Sequence, residues 1–198
     1  MLEQLMVDAD IFAQHIVIAV DCLDQTRAMD KIFSNPEYSA QYRVAPHFYR
    51  TAFHAMRYRL EMEIDKLFDQ KSKSFDSFKN NLSRNKLIAD PEAEKYKECK
   101  HKAQGDLRAI SDRRNKIHAH SDAGCFNNPD TFAEEHPVNW DCVRELLLIM
   151  LHICNGVILH LAQEGPAPLR GIGNSDDFIR LFGYETEFEK FCNIKPYK

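Results

Sequence analysis

The sequence predicts an all-α protein, and three observations carry that prediction. The 198 residues include only 7 Gly and 8 Pro, most of them lying between segments of helical period. Apolar residues recur at intervals near 3.6 over several long stretches, as in helices that bury one face. Pro46 and the pair Asp90-Pro91 stand where two of those stretches begin, and proline is favoured at the first helical position. The expected architecture is a bundle of about four long helices with short accessory helices. It divides into a helical domain over residues 1–164 and a C-terminal extension, residues 165–198, packing on the bundle.

Taken in order, the first helix runs from Leu2 to about Phe33, with Leu5, Met6, Phe12, Ile16, Val20 and Leu23 at helical spacing; Ser34-Asn35-Pro36 ends it. A short helical piece or loop continues to Tyr42. The second helix starts at Pro46 and continues to about Asp69, with a wide apolar face from Phe48, Tyr49, Phe53, Met56, Leu60, Ile64 and Leu67. Arg50, Arg57 and Arg59 lie on it and read as solvated or salt-bridged groups. After a polar linker through Ser74, the residues Phe75, Phe78 and Leu82 mark a short helix to about Arg84.

Asp90 reads as the cap of a third long helix with Pro91 in its first position, and Glu92 and Glu94 favour the positive end of its dipole. It is expected to run to about Ser121, with Gly105 as a weak point. Residues 123–136 form a loop by composition, and a fourth long helix follows from about Val138 to Gln163. Within it, Leu146–Ala162 is the most apolar run, 17 residues interrupted by His152, Asn155, Gly156 and His160. A membrane span needs roughly 20 apolar residues, so this helix is expected at the centre of the bundle or in a dimer interface, with no membrane partner. Gly165-Pro166-Ala167-Pro168 breaks it, and Ser175-Asp176-Asp177 begins a last short helix carrying Phe178, Leu181 and Phe182.

Composition bounds the function. With 44% hydrophobic and 28% charged residues the chain reads as an ordinary soluble protein, and a net charge of −4 argues against indiscriminate DNA binding. A local basic region remains: between Lys95 and His120 eight Lys and Arg face three acids, a local charge of +5. The six scattered cysteines form no C-x-x-C pair, and acids occupy the N-terminus where a signal peptide would be basic and then apolar. Free thiols in a reducing cytoplasm are the expectation. No nucleophile elbow, phosphate-binding loop or dinucleotide fingerprint is present, and no cofactor is expected.

The basic region closes on Ile110-Ser111-Asp112-Arg113-Arg114-Asn115-Lys116-Ile117-His118-Ala119-His120-Ser121. Arg and Lys are fixed cations suited to a phosphate, and His both accepts and donates protons near neutrality. Such a segment points to phosphate chemistry by acid–base catalysis without a metal. Three readings of it stand side by side. It is a phosphate site, or a helix end whose cations complement the dipole, or part of a zinc site made by His118 and His120 with Cys125 and His136.

Arg114, the polar Asn115, four residues and then His120 resemble the signature of HEPN domains, a family of small α-helical bundles of which many are metal-independent ribonucleases. The wording from Asp112 to Asp122, together with Ile64-Asp65-Lys66-Leu67-Phe68-Asp69, is similar to the AbiU branch, named for phage abortive infection; the likeness spans roughly Leu2 to Ala162. The resemblance implies a HEPN-type endoribonuclease acting in phage defence or as a toxin, with RNA as substrate, a homodimeric cleft and an antitoxin protein as a further partner. It implies His120 as the proton-transferring group, Arg114 on the phosphate, and Asn115 orienting one or the other. Arg113, Lys116 and His118 follow as substrate-binding candidates. A non-catalytic HEPN module binding nucleotide, RNA or protein is the alternative. On an ideal helix Arg114 and His120 stand about 120° apart, so a shared site requires an irregular helix end, a partner chain, or both.

Overall fold

The computed structural model describes residues 2–34, 43, 45–68, 73–115 and 137–164. They form six helices, with no strand among the described residues: α1 (Leu2–Ser34), α2 (Pro46–Phe68), α3 (Phe75–Arg84), α4 (Asp90–Lys102), α5 (Gln104–Arg113) and α6 (Trp140–Glu164). The chain is all-α, and all six helices belong to one unit. The expected C-terminal extension and its short helix lie outside the described residues, as does the segment leading to Tyr42.

The 33-residue helix α1 is the spine, about 50 Å long at 1.5 Å per residue. Leu5, Ala9, Phe12, Ile16, Ala19 and Leu23 are buried at steps of three and four. The alanines among them let neighbouring helices come close. On one flank lies α2, burying Leu60, Ile64 and Leu67; on the other lies α6, burying Val143, Leu146, Leu147, Met150, Cys154 and Val157. Charged ties hold the α1–α6 seam: Arg27 meets Asp141 at 2.6 Å, and Arg144 grips Asp24 through two nitrogens at 3.1 and 3.3 Å.

The segment Trp140–Leu161 of α6 has the length and apolarity to cross a membrane, and within the bundle its buried stripe packs on α1 and α4. Helix α3 begins where expected because the Ser74 side chain accepts a hydrogen bond from the Ser77 N–H at 3.4 Å, satisfying one orphan donor of the first turn. Its Phe75 and Phe78 meet Phe12 of α1 at ring distances of 5.4 and 5.1 Å, and Phe75 meets Tyr96 of α4 at 5.4 Å. That aromatic cluster closes the end of the bundle formed by α1, α3 and α4.

Two expectations need correction. The cap of α4 is Ala89, not Asp90: Ala89 is extended, its N–H donates to the Glu92 carboxylate at 3.3 Å, and Asp90 is already helical. The expected single helix from Pro91 onward is two helices, joined at Ala103, whose ψ of 1° departs from helical geometry. Hydrogen bonds bridge the joint, from Ala103 N–H to the Cys99 carbonyl and from Leu107 N–H to the Ala103 carbonyl, so the axis bends without a full break. The bend has a packing reason. Helix α4 lies chiefly against α6, whereas α5 lies chiefly against α2, and one straight rod does not serve both.

Candidate functional site at the end of α5

Helix α5 delivers the basic segment to α2. It ends at Arg113, and Arg114 and Asn115 continue it as a wider π-type turn. The Arg114 N–H still points to the carbonyls of Ile110 and Ser111. A turn of this kind departs from the 3.6-residue step of an ideal helix. Lys116, His118 and His120 lie outside the described residues, as do Cys125 and His136 of the zinc reading.

The two adjacent arginines have different surroundings. Arg113 is 2% exposed, and its Nη1 lies 3.4 Å from Glu61 Oε1. The same Glu61 oxygen stands 3.6 Å from Arg57 Nε, one turn back on α2. The Arg57 guanidinium in turn sits over Trp140, 5.8 Å from the ring centroid. Burial pushes the Arg113 guanidinium below its ordinary pKa and the Arg57 charge adds to that, while Glu61 opposes both.

Arg114 is about one-third exposed. Its Nε lies 3.4 Å from Asp65 Oδ2, and its Nη1 donates to Asn115 Oδ1 at 2.9 Å. Of the expected site residues, the structure therefore brings Arg114 and Asn115 together at the surface. It turns Arg113 inward against Glu61, where its charge is occupied between helices.

Arg57, Glu61 and Asp65 form a stripe along α2 at successive i,i+4 steps, and reasoning from sequence assigned the two acids no part in the site. The signal was present in their spacing, which puts all three on one face of a helix. What sequence could not show was that this face meets α5. The local charge of +5 also needs correction in space. Acids from elsewhere meet its cations: Lys95 pairs with Glu145 at 3.1 Å, Lys100 with Asp76, Arg113 with Glu61 and Arg114 with Asp65. Among the described residues no group of His, Cys, Asp and Glu suited to a metal occurs, and Cys22, Cys99, Cys142 and Cys154 are free thiols.

The described residues form an all-α bundle that presents an arginine–asparagine pair on an irregular helix end. The AbiU2 family of HEPN domains matches residues 9–178, and the chain belongs to that family. The match runs from within α1 past the end of α6 and includes Arg114, Asn115 and His120. No curated protein matches the chain, and no solved structure does.

Proposed function

We propose that this HEPN-domain protein is a metal-independent endoribonuclease. The observation that carries the reading is the placement of Arg114: partly exposed, held by Asp65 and Asn115, at the start of the motif segment in a chain of the HEPN family. In the reaction a ribose 2′-hydroxyl attacks the adjacent phosphorus. The 2′-oxygen–phosphorus bond forms, the bond to the 5′-oxygen breaks, and the products are a 2′,3′-cyclic phosphate and a free 5′-hydroxyl. One proton leaves the 2′-hydroxyl and one reaches the departing 5′-oxygen.

His120 moves a proton at one of those oxygens. Arg114 holds the phosphate and stabilises the charge that grows on it, and Asn115 keeps the guanidinium in place through their hydrogen bond. Lys116 and His118 contribute to substrate binding. Arg113 serves by fixing α5 on α2. A single histidine per motif does not readily act as both acid and base, so two copies pairing around one cleft suit the chemistry. The setting proposed is cytoplasmic, in phage defence or as the toxin of a toxin–antitoxin pair, with an antitoxin protein as partner.

One observation favours the alternative, a non-catalytic HEPN module: both arginines are engaged by carboxylates of the same chain. Total RNA incubated with the protein in EDTA decides between them. Cleavage that survives EDTA and disappears in both Arg114→Ala and His120→Ala supports the enzyme. A wild-type protein that leaves RNA intact under every condition, and whose toxicity is unaltered by His120→Ala, sinks it.

A further inference from the structure

On the other side of α2, a second charged cluster surrounds Glu63. This carboxylate is fully buried between α1 and α2. Its Oε2 accepts from His15 Nδ1 at 2.6 Å. Its Oε1 stands 2.7 Å from Arg59 Nε and 3.0 Å from Lys66 Nζ. Two cations that close to one oxygen lie within about 6 Å of each other, and one anion cannot neutralise both. Their side chains nevertheless remain 54% and 46% exposed. The buried carboxylate thus acts as an anchor that holds two solvent-facing cations and a histidine at fixed positions.

The exposed charged residues of α2 beside the cluster have one sign. All three carboxylates of α2 are paired: Glu61 and Glu63 are buried, and Asp65, at the edge of the exposed arc, is taken up by Arg114. The exposed residues of α2 include His47, Arg50, His54, Tyr58, Arg59 and Lys66, and none of them is acidic. Exposed residues of α1, by contrast, include Glu3, Asp21 and Asp30. The exposed charges of α1 are mixed, with Lys31 among them, whereas those of α2 are all cationic, and a polyanion is drawn to the latter.

The outward arc of α2 also connects two places. Arg59 and Lys66, seven residues apart, share one edge of the helix. Tyr58 and Asp65 lie on the opposite edge of the exposed arc, about 100–120° away, and Asp65 holds Arg114. Around a helix about 10–12 Å across, that arc is roughly 11 Å long, or about three base steps at the ~3.4 Å rise of a stacked strand. Tyr58, 43% exposed, lies on that route as a face for a base.

We propose that the outward arc of α2 is a docking track for single-stranded RNA, in which the His15–Arg59–Lys66 cluster on Glu63 holds a backbone phosphate and Tyr58 stacks a base on the way to Arg114. The direction of the track rests on the ribonuclease reading above; the binding itself does not. Charge complementarity names the occupant, and a base-stacking aromatic between two cationic points favours a single strand over a duplex.

The test is fluorescence anisotropy of the full chain with a labelled 2′-O-methyl oligouridine, which lacks the attacking hydroxyl and cannot be cleaved by the proposed reaction. Lys66→Gln leaves Arg59 and His15 on Glu63, and Arg59→Gln leaves Lys66 and His15. Each is expected to weaken binding about three- to tenfold and to flatten the slope of log affinity against log salt by about 0.7, the loss of one phosphate contact. Lys66→Arg is expected to restore both. A measurement without any variant accompanies these: bound RNA slows acetylation of Lys66, read by mass spectrometry, and leaves Lys97 on α4 unchanged. Wild-type affinity and slope in both Gln variants, or no protection of Lys66, overturns the track. So does tighter Lys66-dependent binding to anionic phospholipid vesicles than to RNA. Cleavage of unmodified RNA is scored separately. Binding that depends on Lys66 without any cleavage supports the track while removing the nuclease, and cleavage with no such dependence does the reverse.

Discussion

The Arg113 guanidinium lies 3.4 Å from the Glu61 carboxylate, and both side chains are 3% exposed. The residue beside it in sequence, Arg114, meets Asp65 one turn further along α2 and stays partly in solvent. Two adjacent arginines thus divide between an internal tie and a surface position. Glu61→Ala leaves the Arg113 charge buried without this partner, which costs about 3–5 kcal/mol. At about 2–4 °C per kcal/mol for a chain of this size, the melting temperature should fall by roughly 6–20 °C. The double variant Glu61→Leu/Arg113→Met should recover most of that loss. Calorimetry checks both, and a double variant no better than the single one would falsify the ion-pair account.

Asp65 is argued to act through Arg114, so its removal should register in catalysis more than in folding. With Arg114 one-third exposed the pair is screened by solvent and worth about 1 kcal/mol, so Asp65→Ala should shift the melting temperature by about 2–4 °C. On the proposed reaction kcat should fall about 10- to 100-fold as the guanidinium loses its position, with KM little changed, and Asp65→Glu should restore part of it. Steady-state cleavage of a short RNA measures the split.

Glu63 gives a pH dependence with a definite sign. Burial pushes its carboxyl upward, but hydrogen bonds from Lys66 and His15 and the charges of Lys66 and Arg59 outweigh it and hold the group below its ordinary value. A carboxylate depressed on folding contributes stability that is complete above the ordinary glutamate value, about 4.3, and is lost as the pH falls through the lower folded value. Between pH 5 and pH 3 the wild-type protein should therefore lose stability faster than Glu63→Gln. Parallel melting curves over that range would reject the assignment.

The aromatic cluster is the simplest to test. Phe75 is fully buried against Phe12 and Tyr96, and Phe75→Ala should cost about 3–5 kcal/mol, whereas Phe75→Leu, closer in volume, should cost much less. Urea unfolding followed by circular dichroism gives both values.

Much of this fold was legible in the sequence because its signals are local. The spacing of Phe75, Phe78 and Leu82 placed α3, and Pro46 placed the start of α2, since helical periodicity and a first-turn proline act within a turn or two of chain. The joint at Ala103 was not legible. No residue there forbids a helix, and the bend answers to two different partners, α6 for α4 and α2 for α5. The site divides in the same way. Arg114 and Asn115 stood out by residue type and order, but Glu61 and Asp65 became visible as their partners only once α5 lay on α2. The ranking of Arg113 against Arg114 likewise depended on which of two neighbours faced inward.

By itself the sequence determined an all-α chain, the positions of most of its helices and membership of the HEPN family, because periodicity, caps and a linear motif are written in residues close together. Only the tertiary structure decided that Lys95, Lys100, Arg113 and Arg114 of the basic region are met by acids of α2, α3 and α6, and that Arg59 and Lys66 share one buried carboxylate while facing solvent on the outward arc of α2. Charge adds along the chain in a count but acts through space. Which face of a helix keeps its charge is settled by what the opposite face must bury.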